Sequence, residues 1–253
     1  ANESGKLRES ENPISPTPNS ERPIRRFRLS FARSCFPVSV SAARSEPGVI
    51  AAYSGADFAA EQGSLPCAWP VTPDIVIPAH PPMAVDEVRY VGEAVACVVA
   101  RDRYAAADAL AAIEVDYEQL PPVLDMRAAL EDASPKVHEA GNKSFDFVFP
   151  QGDLEAAFRD APVVIERTYR QQRLIPAAME PRAVVCSAVG GEYTLWSATQ
   201  IPHVLRVMLA LVTGIPEQNI RVIAPDVGGG FGSKLQVTAE EVLAVLIARK
   251  LGR

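Results

Sequence analysis

The pattern of apolar and polar positions predicts a strand–helix–strand unit in the first half of the chain. A continuous apolar run at residues 94–100 indicates a buried strand that is covered on both faces. The alanine-rich residues 103–112 favour a helix, for which Asp102 is a suitable N-cap. Residues 113–117 then alternate between apolar and polar positions, as a half-buried strand does. An earlier apolar stretch, residues 49–53, predicts a further strand.

The pattern of the second half predicts short strands and helices in alternation. Asp153 is placed to cap the first helix, and two adjacent glycines at 190–191 favour a hairpin turn. Pro202 suits the first turn of a later helix and Gly214 suits its C-terminal cap. In chain order the predicted elements are helix 154–159, strand 163–170, hairpin strands 183–189 and 192–197, helix 203–212, strand 222–224 and helix 236–250.

Two regions have the composition of irregular chain. Residues 1 to about 34 are polar with repeated prolines, a composition that buries little apolar surface. We therefore expect residues 1 to about 25 to be mobile. Residues 131–150, which contain Pro135, Gly141 and Pro150, predict a linker.

Composition and charge narrow the class of protein. The chain has 253 residues and a net charge of −6, which disfavours nucleic acid as a partner. No apolar run reaches the about 18 residues that a membrane span needs. The four cysteines lack C-x-x-C spacing and the three histidines lie far apart, so no protein-ligated metal site is indicated. Scattered, reduced thiols favour a cytoplasmic protein.

The most informative stretch is the glycine-rich sequence RVIAPDVGGGFGSK at residues 221–234. An apolar strand precedes it and a helical pattern follows, an arrangement that lets backbone N–H groups face an anion. Glycine permits a ligand to approach the backbone closely and permits positive φ. The alternative is a plain glycine-rich turn between a strand and a helix.

Two known phosphate loops fit this stretch poorly. A Walker A loop places lysine directly after glycine, whereas Ser233 precedes Lys234 here. A dinucleotide-binding fingerprint reads G-x-G-x-x-G/A, and Ser233 stands at its third position. The acidic ribose ligand of that fingerprint would lie about 20 residues later, where the sequence has nearly ended. A dinucleotide-binding strand–loop–helix domain stays open as an alternative.

Four stretches, taken in order, resemble the molybdenum-binding large subunit of the xanthine dehydrogenase, aldehyde oxidase and carbon monoxide dehydrogenase family. They are RYVGEAVA (89–96) with the following helix and IEVDYE (113–118), QQRLIPAAMEPR (171–182), SATQIPH (197–203) and DVGGGFGSK (226–234). The resemblance covers about residues 45–253. Four ordered motifs are more specific than one glycine loop.

The resemblance implies an α+β fold, in which an α/β-hammerhead domain is followed by the start of a molybdopterin-binding domain. We expect a flexible, atypical segment at 1–45, the hammerhead domain at 46–130, a linker at 131–150 and the N-terminal part of the cofactor domain at 151–253. Family members continue for several hundred residues. The chain is therefore expected to be a truncation that is inactive alone, because the family's general-base glutamate lies further downstream.

The resemblance also implies a chemistry, a cofactor and partners. The family oxidatively hydroxylates an aldehyde, an N-heterocycle or carbon monoxide, all small-molecule substrates, at a molybdenum–pterin centre. In bacterial members the molybdopterin is usually the cytosine dinucleotide form. An FAD-binding medium subunit and a 2Fe–2S small subunit are the implied partners. A non-catalytic fragment or structural subunit that keeps the fold without the cofactor is the alternative.

Candidate site residues follow from the same resemblance. Gln172 would donate a hydrogen bond to the apical oxo group of the metal, with Gln171 as the other register and a solvent-facing strand glutamine as the structural alternative. The glycine loop would hold the cofactor and line the metal through backbone N–H groups. Phe231 would also form a wall of the substrate pocket. The loop residues that carry this expectation are Gly229, Gly230, Phe231 and Gly232.

Three further positions carry expectations. Glu180 is expected to be a structural, hydrogen-bonded acid, because a buried carboxylate must be paired. Leu235 stands where purine-oxidising relatives usually have glutamate, which argues against xanthine as the substrate. Valine at Gly230 is expected to fail, because a β-branched residue does not adopt positive φ comfortably and would fill the space of the cofactor.

Overall fold

The computed structural model describes residues 34–35, 37–67 and 69–253. The first part of the fold, from β1 to β7 as bounded at the end of this paragraph, contains small antiparallel sheets with two helices. The alanines of this part let the helices α1 and α2 approach the β3–β5 ribbon closely, around buried Ala43, Ala52 and Ala109. The strands pair as β3–β5, as β2–β6 and in the order β4–β1–β7. The elements are β1 (Ser34–Cys35), β2 (Val38–Ser39), α1 (Ser41–Ser45), β3 (Val49–Ser54), β4 (Glu87–Val88), β5 (Ala96–Ala100), α2 (Arg103–Ala111), β6 (Glu114–Val115) and β7 (Glu118–Gln119).

The second part is a three-stranded sheet with two long helices packed on it. Its strands lie in the order β10–β9–β8, where β8 and β9 form an antiparallel hairpin and β9 runs parallel to β10. Helix α4 makes the crossover between the parallel strands and packs on β10, while α5 packs on β8 and β9. The elements are α3 (Leu154–Asp160), β8 (Val184–Val189), β9 (Glu192–Ser197), α4 (Pro202–Thr213), β10 (Ile220–Ile223) and α5 (Ala239–Leu251).

One hydrophobic core joins the two parts. Phe58 and Met83 of the first part are fully buried against the leucines of α4 and α5. Around this core, Glu61 accepts hydrogen bonds from Arg249, at 2.7 Å, and from Lys250. Because this core fixes α4 and α5, it also fixes the loops that enter both helices, where the candidate site lies.

Most predicted elements are confirmed. The helices predicted at 103–112, 154–159 and 203–212 are α2, α3 and α4, and the hairpin is β8 and β9. Asp102 caps α2 by accepting from the N–H groups of Tyr104 and Ala105. Gly214 closes α4 in the left-handed conformation, with φ of 68°. These elements are determined by local sequence, which explains why the pattern finds them.

The strand predicted at 163–170 is wrong, and residues 171–182, which resemble a strand and turn of the family's cofactor domain, contain no strand either. Residues 161–183 are irregular, and β8 begins only at Val184. A strand persists only when its N–H and C=O groups pair with a neighbour, and no backbone in the described part of the chain pairs with residues 163–175. The half-buried strand predicted at 113–117 is shortened to β6, and the N–H of the next residue, Asp116, still donates to the Pro37 carbonyl at 3.3 Å.

The expectations for the N-terminal segment are only partly within the described residues. Residues 1–25, expected to be mobile, lie outside them. Of the segment 1–45, the described residues form β1, β2 and α1, and Val40 and Ala43 are buried. Among the described residues, no helix is both long and apolar enough to cross a membrane.

Candidate cofactor-binding site

The glycine-rich stretch forms an irregular loop, residues 224–238, between β10 and α5. The predicted helix start at residue 236 is too early, because α5 begins at Ala239, several residues beyond Gly232. Its first turn is capped within the protein: Glu241 accepts from the N–H of Thr238 at 2.9 Å and from Ser197 Oγ at 2.6 Å. A dinucleotide fingerprint opens directly into its helix, so this geometry argues against the dinucleotide-binding alternative.

An ion pair between buried Lys234 and half-buried Glu180 holds one end of the loop. Lys234 is 3% exposed, and its Nζ donates to the Glu180 carboxylate at 2.8 Å and to the Glu180 carbonyl at 3.0 Å. The carboxylate also accepts from the N–H of Gly228 at 2.8 Å, so Glu180 is paired as expected. The hydrogen bonds from Lys234 and Gly228 hold the pKa of Glu180 below its usual value. The loop lysine therefore serves a carboxylate of the protein and is not displayed to a ligand.

The side chain of Gln200 holds the other end of the loop. Gln200 lies between β9 and α4, and its Oε1 accepts from the N–H of Gly232 at 3.1 Å and from that of Lys234 at 3.3 Å. Its own N–H donates to the Lys234 carbonyl at 3.0 Å. Sequence reasoning missed this residue, although its place within the SATQIPH stretch was an available signal.

Between these two ends the loop presents a crown, defined here as Gly229, Gly230 and Phe231. Gly229 and Phe231 have φ of 101° and 51°, and the Phe231 side chain is 73% exposed. Along residues 228–235, the N–H groups of Gly230 and Phe231 are the two that have no acceptor within the described part of the chain. Gly230 is a buried residue, so an acceptor for its N–H from a ligand or a water molecule would be favourable.

Contacts, as well as conformation, require glycine in this loop. A Cβ on Gly228 would lie 2.6 Å from the Cβ of Glu180, and a Cβ on Gly230 would lie 2.5 Å from the Cδ of Gln200. Gly230 does not have positive φ, so the backbone reason given for its intolerance of valine is wrong. Positive φ belongs instead to Gly229 and Gly232, and a side chain at Gly230 would require the Gln200 side chain to move.

The structure brings the predicted loop residues together but does not place the predicted glutamines beside them. Gln171 and Gln172 are exposed in irregular chain. The nearer part of the same segment is Ala178, whose Cβ would lie 3.3 Å from a Cβ on Gly229. Arg182, further along, donates to the Ser233 carbonyl. No group of three or more His, Cys, Asp or Glu in the described residues is placed to hold a metal ion.

Comparisons with known proteins match both parts of the chain. The family described as "Molybdopterin cofactor-binding domain" matches residues 137–253, which contain the crown and both of its supports. The family described as "Aldehyde oxidase and xanthine dehydrogenase, a/b hammerhead domain" matches residues 34–121. The chain belongs to the aldehyde oxidase and xanthine dehydrogenase family of molybdenum-binding large subunits, and its fold is the α+β arrangement that the resemblance implied.

Individual relatives agree with this assignment. The carbon monoxide dehydrogenase large chain of Afipia carboxidovorans is 35% identical over 85% of this chain and 28% of the relative. The nicotine 6-hydroxylase large subunit of Paenarthrobacter nicotinovorans is 34% identical over 85% of this chain and 26% of the relative. The crystal structure of quinoline 2-oxidoreductase from Pseudomonas putida 86 superposes with a TM-score of 0.79 at 33% identity, over 88% of this chain and 29% of that chain. The chain thus spans under a third of the length of these relatives.

Proposed function

We propose that this chain forms the N-terminal part of the large subunit of a molybdenum hydroxylase, and that its crown binds the molybdopterin cofactor. The observation that carries the proposal is the adjacent pair of N–H groups, of Gly230 and Phe231, that have no acceptor among the described residues, while the other N–H groups of residues 228–235 are engaged. Adjacent backbone N–H groups of this kind bind anionic oxygens. The match of residues 137–253 to the molybdopterin cofactor-binding family supports the identity of the anion.

The residues present fit such a group. The Lys234 side chain donates to the Glu180 carboxylate, so the backbone N–H groups of the crown are the hydrogen-bond donors that face the cofactor. Gly229 leaves a narrow space beside Ala178 that a Cβ would fill. Gly232 lines the loop, but its N–H already donates to Gln200, so we assign it a place in the wall of the site and not a donated hydrogen bond.

The bound cofactor would supply the oxidative hydroxylation chemistry, acting on an aldehyde, an N-heterocycle or carbon monoxide. Residues of this chain bind and orient. Phe231 presents an exposed ring that suits a wall of the substrate pocket. Gln172 would donate a side-chain hydrogen bond to an oxygen bound to the metal; its side chain is exposed in irregular chain. Leu235 offers an apolar, half-exposed side chain, which continues to argue against a purine substrate.

Finer assignments extend the same proposal. We assign the cytosine dinucleotide form of the cofactor. We also assign an FAD-binding subunit and a 2Fe–2S subunit as partners, and the relatives described as a large chain or a large subunit support the presence of partner subunits in general. A cytoplasmic location is supported by the free thiols of Cys67, Cys97 and Cys186. Domain bounds of 46–130 and 151–253 remain our prediction.

The proposal is tested by molybdenum and pterin content in the full-length subunit. Gly230→Val is expected to lower both several-fold, because the side chain would displace Gln200 and enter the crown. Gly190→Val is the control for valine strain away from the site: Gly190 lies in the β8–β9 turn with nothing within 4 Å of an added Cβ, and its φ of 63°, unlike that of Gly230, strains a valine through the backbone alone. A wild-type subunit without molybdenum, or a Gly230→Val subunit with full molybdenum and normal turnover, would refute the proposal.

A further inference from the structure

Residues 163–175, called the arm here, expose apolar side chains along a stretch of irregular chain. Four of these side chains are between 72% and 88% exposed: Val163, Ile165, Tyr169 and Ile175. Just before the arm, Leu154 and Phe158 lie one turn apart on α3 and are also exposed. Exposed apolar side chains that follow one another in this way are typical of a surface that another protein segment covers.

The arm has the residue pattern of a β-strand with one largely apolar face. Its four most exposed apolar residues stand at odd-numbered positions, and alternate side chains of an extended chain point to the same face. Arginine and glutamine fill the other odd-numbered positions from 167 onward, whereas the even-numbered positions from 166 to 172 are all polar. The valine, isoleucine, threonine and tyrosine of the arm favour strands. The apolar face of such a strand is centred on Ile165 and Tyr169.

The backbone of the arm lacks the neighbour that a strand needs. Among the described residues, no backbone N–H or C=O group pairs with the backbone of residues 163–175. Arg170 lies 4.0 Å from the Asp125 carboxylate, but both side chains are exposed, and such a pair contributes little to stability. Free backbone groups on a strand-forming segment are a template for a further strand. The segment that covers the arm is therefore expected to pair with it as a β-strand.

The length of the relatives indicates where that strand comes from. The carbon monoxide dehydrogenase large chain of Afipia carboxidovorans is matched over 28% of its length, and quinoline 2-oxidoreductase superposes over 29% of its chain. Most of such a subunit lies outside the present chain. The arm lies within residues 137–253, which match the molybdopterin cofactor-binding family. Because the layers of one domain pack around one core, the missing strand is expected from that same domain.

From these observations we infer that the arm is the docking site for the downstream part of the same large subunit, which pairs one β-strand with the arm and covers Ile165 and Tyr169. This inference rests on the proposed function, which makes the chain the N-terminal part of such a subunit. The arm is then unpaired in the 253-residue chain and part of a sheet in the full-length subunit.

Amide hydrogen exchange in the 253-residue chain and in the full-length subunit, purified without other subunits, tests the pairing. Exchange at residues 163–175 should be at least about tenfold slower in the full-length subunit. Exchange at Leu195, which β9 pairs in both, should change little. Equal exchange at the arm in the two proteins would overturn the inference, and this comparison needs no substitution.

The same measurement tests the identity of the covering segment. Protection of the arm that appears only after an FAD-binding or 2Fe–2S subunit is added would assign the arm to another subunit. Protection that rises with the concentration of the 253-residue chain would assign it to a second copy. Either result would overturn the inference.

Lysine at Ile165 tests the apolar face, and Thr168→Lys is the matched control on the other face, since both side chains are exposed in the 253-residue chain. In that chain neither substitution should shift the urea midpoint. In the full-length subunit, Ile165→Lys should speed exchange at the arm by at least about tenfold, because an unpaired charge is costly to bury. Thr168→Lys should leave exchange at the arm unchanged. Equal effects of the two substitutions in the full-length subunit would overturn the inference.

Molybdenum content separates this inference from the proposed function. A full-length subunit that protects the arm but binds no molybdenum would refute the proposed function and support the inference. A subunit that binds molybdenum while its arm exchanges as fast as in the 253-residue chain would overturn the inference and leave the proposed function intact.

Discussion

Alanine at Gly230 tests the packing of the crown against Gln200. The new Cβ would lie 2.5 Å from Cδ and 2.8 Å from Cγ of Gln200, so the glutamine side chain must leave its position. The N–H groups of Gly232 and Lys234 then lose their acceptor. A hydrogen bond of this kind contributes about 0.5–1.5 kcal/mol net, and an unsatisfied buried donor costs about 1–3 kcal/mol.

The expected loss of stability follows from these values. Gly232 is exposed and can bond to water, whereas Lys234 is buried and cannot do so easily. Alanine at a position without positive φ also gains about 0.4–1 kcal/mol through the unfolded chain. We expect Gly230→Ala to destabilise the protein by about 1–2 kcal/mol. In a Gln200→Ala background the glutamine side chain no longer obstructs the new Cβ, so Gly230→Ala should not lower the free energy of unfolding. The two substitutions should therefore be coupled by about 1–2 kcal/mol.

Urea unfolding followed by tryptophan fluorescence measures this coupling, since Trp196 lies on β9 close to Gln200. Gly229→Ala is the control: Gly229 has φ of 101°, so alanine there is strained by the backbone whether or not Gln200 is present. Its cost should be the same in both backgrounds. A coupling energy below about 0.5 kcal/mol between Gly230→Ala and Gln200→Ala would refute the packing argument.

Three further predictions concern the ion pair, the shared core and the proposed catalytic amide. The pKa of Glu180 in the folded protein lies below its ordinary value of 4.5, so its contribution to the free energy of unfolding is full above pH 4.5 and is lost as the pH falls through the pKa of the folded state. Glu180→Gln should therefore weaken the dependence of the urea midpoint on acid pH, and Glu240→Gln should not. Phe58→Ala should lower the free energy of unfolding by about 3–5 kcal/mol, because Phe58 packs in the core that joins both parts of the chain. Unfolding should still be a single transition by all probes, and two transitions would show that the two parts have separate cores. Gln172→Ala should lower turnover per molybdenum about 10²–10³-fold with the metal retained, whereas Gln171→Ala should leave turnover unchanged. Equal effects of the two substitutions would contradict the assignment of the role to Gln172.

The sequence was sufficient for elements whose causes are local. Helix α4 has proline at its first turn and a left-handed glycine at its end, and both features are visible in the printed chain. The hairpin of β8 and β9 is closed by two glycines with positive φ, as its Gly-Gly turn indicated. These signals lie within one element, so no knowledge of the tertiary structure is needed to read them.

The site could be predicted only in part, because its supports come from distant positions. The glycine stretch marked the loop, but the contacts of Glu180 and Gln200 with it join residues 54 and 34 positions apart, respectively, through Lys234. The strand predicted at 163–170 failed for a related reason: its alternation is a property of the segment, whereas a strand also needs a partner backbone. The expected intolerance of Gly230 to valine stays a prediction, but its backbone reason is wrong, and the contact with Gln200 takes its place.

The most direct test of the central claim is amide hydrogen exchange at the crown of the full-length subunit, with and without its molybdopterin cofactor. If the N–H groups of Gly230 and Phe231 bind the cofactor, their exchange should slow by at least about tenfold on loading. The N–H groups of Gly232 and Lys234 already donate to Gln200 and should change little. Equal exchange at Gly230 and Phe231 in the loaded and cofactor-free subunits, with molybdenum shown to be present in the former, would contradict the claim.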